Sequence, residues 1–585
     1  MRTTITTYWR DGLLGVVLVL GTLCSGIPAH AQEASGSVSG PTDSLIVSGI
    51  VVNPQNEGVE DAELRFALDG QPLAGGAPVL TGSGGAFEAR IDIPRGTPPG
   101  AGFTVSVSRP SYKPVKSAAL SHVLLEQVDS GGRRHLLAHL KLTLQRIPTP
   151  ALWIAAAVLL AVYVFIAFEL MHRTLAALVG SSLLLFVSYT FGSFDPGYRV
   201  ITFDEAMQAI DGNVIFLLMA MMIIVGVLKK TGLFQWTAYK SFQMARGNIY
   251  VLSVLLMFVT AVTSAFLDNV TTMLLIVPVT IEIAVALRID PIAFLLPEVF
   301  ASNVGGTATL IGDPPNIMIG SYAGLTFVQF VENLALVCFI GLAVASVYFV
   351  FWFRKDYHAA KVSDVPAMTA RLRQEYRIID KPLLIKGGVI LLLTIALFVM
   401  HGQLHMEPSI AAMAGASLLL VVSDVHIVEM VEREVEWPTL VFFMMLFILV
   451  AGAEQTGLIQ LVADWVREAS RGSAVLAVVM IIWASAILSA IIDNIPFTAT
   501  MLPIVAYLTT SIPGVHGAVL WWALSLGACL GGNGTLIGAS ANVVTVGLAE
   551  KAGHPVSFMH FLRVALLPML ITVAICTVWL LAFGL

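Results

Sequence analysis

One phrase occurs twice in this chain. Ser264-Ala265-Phe266-Leu267-Asp268-Asn269-Val270 runs on to Pro278 and returns 225 residues later as Ser489-Ala490-Ile491-Ile492-Asp493-Asn494-Ile495, running on to Pro503. A second echo lies downstream of each copy. Gly305-Gly306-Thr307-Ala308-Thr309-Leu310-Ile311-Gly312 returns as Gly531-Gly532-Asn533-Gly534-Thr535-Leu536-Ile537-Gly538, and Asn316 returns as Asn542. Both copies sit in strongly apolar sequence, which constrains the chain to two related halves. Paired Gly-interrupted segments at matching positions of two halves point to the binding site of a transporter.

The composition agrees. Of 585 residues 57% are hydrophobic and only 12% charged, and mean hydropathy is +0.84, whereas soluble domains carry about 25% charged residues. The expected class is therefore a polytopic membrane protein with the lipid bilayer as its surroundings. The net charge of −6 says nothing about nucleic acid, but the sequence shows no basic patch of the kind DNA binding needs, so no nucleic-acid partner is expected. The four cysteines (Cys24, Cys338, Cys529, Cys576) show no metal spacing. Residues 1–31 read as a signal peptide: Arg2 and Arg10, an apolar run from Leu13 to Leu23, then Ala29-His30-Ala31. A retained first helix is the rival reading.

From 44 to 146 short alternating runs (Leu45 to Val52, Glu63 to Leu68, Phe87 to Ile93, Phe103 to Ser108) are punctuated by Gly, Pro and Asn. They predict a small all-β sandwich outside the cytoplasm, either passive or a ligand-sensing cap. Beyond it, apolar stretches of about 20 residues predict helices near 151–171, 174–194, 213–229, 291–320, 333–353, 383–400, 408–424, 437–454, 516–549 and 561–583. The stretches 291–320 and 516–549 contain the Gly-rich echoes and should break in the middle. The stretches 249–286 and 474–512 turn at Asp-Asn and are expected to be re-entrant hairpins.

The predicted fold is thus all-α and polytopic: two five-helix halves, each with a re-entrant hairpin and a broken helix, preceded by the β domain. Repeat 1 covers 151–353, a cytoplasmic linker 354–382, and repeat 2 383–585. Loop charge supports this topology. Seventeen Lys and Arg fall inside, among them Arg173 at the end of the first span, Lys229, Lys230, Arg246, Arg288, Arg354, Lys355 and Arg433, whereas the outside loops hold only Arg199, Arg467 and Arg471. An odd number of spans per half inverts the second half. The hairpin tips and helix breaks should then meet near the midplane. The expected location is a bacterial inner (plasma) membrane, with the N-terminal domain and the C-terminus extracytoplasmic.

An Asp at the bilayer centre costs about 2.5–3.5 kcal/mol on insertion scales, so an intramembrane carboxylate implies compensation. Asp268 and Asp493 are accordingly candidate sites for Na⁺ or a proton; the competing reading makes them caps of the second hairpin arm. Asn269 and Asn494 offer amide donors and acceptors, or simply form turns. Gly305, Gly306, Gly531 and Gly532, with Gly312 and Gly538, permit unwound backbone and close approach. Unwound carbonyls and the hydroxyls of Thr309 and Thr535 could then coordinate Na⁺. Asn303, Asn316, Asn533 and Asn542 complete the candidate set. Asp313, with no acid at the matching Ala539, adds a carboxylate to one half, and Glu298 is a second unpaired acid. No arginine adjoins either tip in sequence, so none is expected to pair with an anion there.

These motifs resemble the ion transporter superfamily over about 151–585. That superfamily includes divalent-anion/Na⁺ symporters, citrate and arsenite permeases and one class of Na⁺/H⁺ antiporters. Within it, Ser264 through Pro278 and Gly312-Asp313-Pro314-Pro315-Asn316 are most similar to the melanosomal P protein branch. The resemblance implies a homodimer whose transport domain moves as an elevator against a fixed scaffold. The Na⁺/dicarboxylate branch carries Ser-Asn-Thr at both tips, where this chain has Asp268-Asn269-Val270 and Asp493-Asn494-Ile495. Acidic tips suit cations better than carboxylates. The expectation is a secondary active transporter of a small ion, coupled to Na⁺ or H⁺ and without a resident cofactor, with Na⁺/H⁺ exchange favoured. The alternatives are Na⁺-coupled anion uptake, a channel on the same fold, or a receptor led by the β domain. No nucleophile–base or metal constellation suggests an enzyme.

Overall fold

The computed structural model describes residues 42–584 apart from 54–57, 60–61, 74–77, 99–100, 110–111, 121–124, 129–133, 146, 360–371, 373–375 and 516. The expected signal segment 1–31 and most of the expected linker lie outside the described residues. The chain divides into two units, Met1–Ile147 and Pro148–Leu585.

Among its described residues the first unit is a β structure of nine strands: β1 (Thr42–Val52), β2 (Glu63–Leu68), β3 (Gln71–Pro72), β4 (Val79–Leu80), β5 (Ala86–Pro94), β6 (Phe103–Ser108), β7 (Val115–Ala119), β8 (Leu125–Val128) and β9 (Arg134–Thr143). They form two sheets, β5-β1-β9-β8 and β3-β2-β6-β7, with β4 added to β2. Period-2 alternation does the work: Phe87, Ala89, Ile91 and Ile93 of β5 point inward between exposed neighbours. They meet Leu45, Val47, Phe66, Phe103 and Val105 in a core of their own. The four expected strands are present, while β9 was missing from the sequence reading. It pairs parallel to β1, Ser44 opposite His135, a contact between ends of the unit that no local turn announces.

The second unit is helical. Its first half contains α1 (Pro150–Ala167), α2 (Arg173–Phe194), α3 (Gly212–Lys229), α4 (Leu233–Ala245), α5 (Ile249–Phe266), α6 (Asn269–Ala286), α7 (Ile292–Thr307), α8 (Pro314–Ala323) and α9 (Phe327–Trp352). Its second contains α10 (Lys381–Met400), α11 (Pro408–Val422), α12 (Trp437–Gln455), α13 (Leu458–Ala469), α14 (Ala474–Ile491), α15 (Asn494–Ser511), α16 (Val519–Gly531), α17 (Ser540–Lys551) and α18 (Phe558–Phe583). Among the described residues ten helices are long and apolar enough to cross a membrane. The span expected at 408–424 is shorter, 15 residues, or about 22 Å.

The repeat is written into helix boundaries. Helices α3 and α12, α5 and α14, and α6 and α15 start at positions 225 residues apart. So do α4 and α13, which the sequence reading missed because each is too short to span. Each follows a glycine in the left-handed region, Gly232 (φ 78°) and Gly457 (φ 86°). Each is less apolar than the spans, and α13 is strongly amphipathic. The arms α5–α6 and α14–α15 are 18 residues each, joined by two residues of extended backbone. Both expected breaks exist: α7 and α16 stop, and α8 and α17 resume after Asp313 and Ala539. The copies pack reciprocally: α5 lies on α7 as α14 lies on α16, while α6 contacts α17 and α15 contacts α8.

Candidate functional site

The residues after the two aspartates carry the junction of the halves. Asp268 and Asp493 are helix N-caps: Asp268 Oδ1 accepts from the Thr271 amide at 2.8 Å, and Asp493 Oδ1 from Ile495 at 3.0 Å. Capping turns each chain so that the next residue points inward. Asn269 Nδ2 donates to Asn303 Oδ1 (3.1 Å) and Asp313 Oδ1 (3.3 Å). Asn494 Nδ2 reaches the same carboxylate from the other half, at 3.4 and 3.5 Å. Asn303 Nδ2 donates to Asn533 Oδ1 (2.9 Å) and Asn542 Oδ1 (3.0 Å). All are buried, Asp313 at 1% exposure. No cationic side chain pairs with Asp313 among the described residues. Asn533 Nδ2 is buried without a partner.

The unpaired acid of the sequence is thus the hub. At the matching position Ala539 has nearly the same backbone, φ −147° and ψ 142° against −143° and 133° at Asp313. The backbone is repeated there and the charge is not.

Three expectations need correction. The glycine pairs are not unwound: Gly305 and Gly306 lie inside α7, and Gly531 and Gly532 keep helical dihedrals. They are required for close approach. A Cβ on Gly305 would stand 2.1 Å from Ala261 O, and one on Gly531 2.5 Å from Ala486 O. Gly306 faces Gly312, and Gly532 faces Gly538, equally tightly. Secondly, the carbonyls freed by the breaks are already engaged. Asn316 Nδ2 donates to Thr307 O (3.0 Å) and Thr309 O (2.9 Å), and Asn542 Nδ2 to Gly532 O and Thr535 O, both at 2.8 Å. The hydroxyls of Thr309 and Thr535 donate to Ala265 O and Ala490 O, each at 2.5 Å. They tie each break to its own hairpin arm.

The third correction concerns charge. An arginine does adjoin a tip. Arg173, first residue of α2, lies 3.6 Å from Asp493 Oδ2 and donates to Ser540 Oγ (2.5 Å) and Thr439 Oγ1 (3.2 Å). Sequence reasoning assigned it to a loop, because the contact spans 367 residues to Ser540. Ser525 and Cys529, which donate to Asn316 Oδ1, were also missed. Their one signal was the i, i+4 spacing of small polar groups on an apolar helix.

Arg173 and Asp493 line a cavity of about 670 Å³ with Glu169, His172, Glu436 and Ser540, which reaches Val270 next to Asn269. Burial holds the Glu436 carboxyl above its ordinary range, and the charge of Asp268 adds to the effect. Among the described residues no three His, Cys, Asp or Glu side chains gather to hold a metal ion. The centre is built of amides around one carboxylate.

The pattern of the citrate transporter (CitMHS) family matches residues 163–527. An uncharacterized transporter of Mycobacterium bovis is 42% identical over 429 residues, covering 73% of this chain and 97% of its own length. The 46 kDa membrane protein of Mycobacterium leprae is 41% identical over 430 residues, with the same shares. The P protein of Homo sapiens is 35% identical over 508 residues, covering 72% of this chain and 59% of its own. Among solved structures, the YdaH transporter of Alcanivorax borkumensis aligns with 71% of this chain and 99% of its own at TM-score 0.48 and 15% identity. The family pattern and the sequence relatives agree with the resemblance carried by the Asp-Asn and Gly-Gly repeats. The chain is an integral membrane transporter and belongs to the citrate transporter (CitMHS) family.

Proposed function

We propose that this protein is a secondary active transporter whose ion site is the amide cage around Asp313, and that it exchanges Na⁺ for H⁺. The observation that carries the reading is one buried carboxylate, without a cationic partner, held by Asn269 and Asn494 from opposite halves. An uncompensated buried charge is costly. A proton or a bound cation relieves that cost, and the two compete for one carboxylate, which couples their fluxes. Turning an amide over exchanges Nδ2 for Oδ1. Asn269 and Asn494 can therefore donate to the bare carboxylate or offer oxygens to Na⁺, with Asn303, Asn533 and Asn542 behind them. The cavity beside the cage has three carboxylates, Glu169, Glu436 and Asp493, against Arg173 and His172, which favours cations at its mouth.

Asp268 and Asp493 then orient the arms, and the glycines and Thr309, Thr535, Asn316 and Asn542 hold the breaks. The reciprocal packing of α6 on α17 and α15 on α8 supports an inverted repeat of 151–353 and 383–585 with re-entrant arms. Elevator motion, a homodimer, a bacterial inner (plasma) membrane and an extracytoplasmic N-terminal unit belong to the same proposal. A second reading, Na⁺-coupled anion uptake, is favoured by Arg173: an anion entering the cavity could take Asp493's place on its guanidinium.

Reconstituted Asp313→Asn tests the first reading. A charge-assisted ligand contributes about 1.5–3 kcal/mol, so Na⁺-driven pH change should fall about 10- to 150-fold. Wild-type exchange by Asp313→Asn would refute it.

A further inference from the structure

The cage does not use Glu298, the second acid of α7. It is 1% exposed. Its Oε1 accepts from Thr280 Oγ1 on α6 at 2.9 Å, while Oε2 is buried without any partner. Helices α6 and α7 run antiparallel, since Thr280 bonds Glu298 while the earlier Asn269 bonds the later Asn303. The seam between them is polar at each end. Ser302, one turn beyond Glu298 on the same face, donates to Ser264 Oγ (3.1 Å) and Asn269 O (3.4 Å). Thr272, one turn beyond Asn269, has a buried hydroxyl oxygen without a partner. Glu298 is five residues from Asn303, about 7.5 Å along the helix.

At its other end α7 meets a polar cluster. Tyr357 donates to Ala293 O at 2.7 Å and hydrogen-bonds Ser253 at 2.9 Å. Tyr250 stacks edge-on to it at 5.5 Å and hydrogen-bonds His358, beside Arg354 and Lys355.

We propose that Glu298 is a second proton-binding site, distinct from the Asp313 cage, on a seam leading from the cage toward the Tyr357–His358 cluster. This rests on reading the cage as the ion site. Glu298 carries its proton on Oε2, where no protein group competes for it, and gives it up as the carboxylate to water entering the seam. Charge elsewhere does not substitute for that proton. Helices packed on α7 bring Tyr250 (α5), Glu282 (α6), Glu332, Cys338 and Tyr348 (α9) and Cys529 (α16). They also bring Glu550 and Lys551 (α17) and His560, Arg563 and Cys576 (α18). None pairs with Glu298 among the described residues.

The test compares Glu298→Gln with Asp313→Asn in liposomes containing the full chain. Gln keeps an acceptor for Thr280 and needs no counter-charge. In Glu298→Gln, isotopic Na⁺ counterflow should stay within about twofold of wild type while proton movement per ion falls by about half, since the Asp313 cage still carries its own proton. In Asp313→Asn both should fall. Unchanged proton coupling in Glu298→Gln overturns the Glu298 site and leaves the cage standing; loss of counterflow there also overturns it. Intact counterflow in Asp313→Asn overturns the cage instead. If Glu298→Gln does not fold, infrared difference spectra of wild type carrying ¹³C-labelled glutamate decide. A labelled carbonyl stretch of a protonated acid that responds to pH supports the site, and its absence at all pH values overturns it.

Discussion

Replacing Gly305 by alanine tests whether the conserved-by-repeat glycine pairs serve close packing. The new Cβ would sit 2.1 Å from Ala261 O, against the 3.4 Å at which ordinary contact begins, so α7 must retreat from α5 by about 1.3 Å. At Gly531 the distance is 2.5 Å and the shortfall about 0.9 Å. The obstacle is backbone in both cases and cannot rotate aside, which places overpacking toward the upper end of ~1–3 kcal/mol. A retreat of that size also stretches Ser302–Ser264 (3.1 Å) and Thr309–Ala265 (2.5 Å), at about 1 kcal/mol each. The expected loss is about 3–5 kcal/mol for Gly305→Ala and somewhat less for Gly531→Ala, against a typical stability of ~5–15 kcal/mol. Gly388→Ala is the control: its Cβ meets nothing within 4 Å in the middle of α10, and it should gain ~0.5–1 kcal/mol. Thermal unfolding followed by size-exclusion of detergent-solubilised protein reads all three. The reasoning fails if Gly305→Ala melts with wild type or if Gly388→Ala is the worst of the set.

Arg173→Gln removes a partly exposed ion pair, so stability should fall by only about 1 kcal/mol; Na⁺/H⁺ exchange should persist, and isotopic citrate uptake would be lost only if the anion reading holds. Residues 42–146 expressed alone should show a β-type circular dichroism spectrum and a cooperative melt, because their core is self-contained; an unfolded fragment would contradict this. Deleting the same unit should leave ion exchange within about twofold, and abolition of transport would point to the receptor reading.

The helices were legible because membrane-length apolar runs are local properties of the chain. The caps and breaks were legible too: Asp before an apolar run and Pro314-Pro315 act on their immediate neighbours. The glycines were half legible. Their type signalled a backbone need, but only contacts with Ala261 and Ala486 distinguish close approach from an unusual φ. β9 and Arg173 were not legible, since their partners lie far away along the chain.

The sequence alone determined that two similar halves would cross a membrane and where each would bend, since hydropathy, capping and proline act within a few residues. Tertiary structure decided which carboxylate lies at the centre. The repeat pointed to Asp268 and Asp493, but the acid that amides from both halves hold is Asp313, 181 residues from Asn494. Only packing of α15 against α8 brings those side chains together, and no periodicity in either segment records that contact.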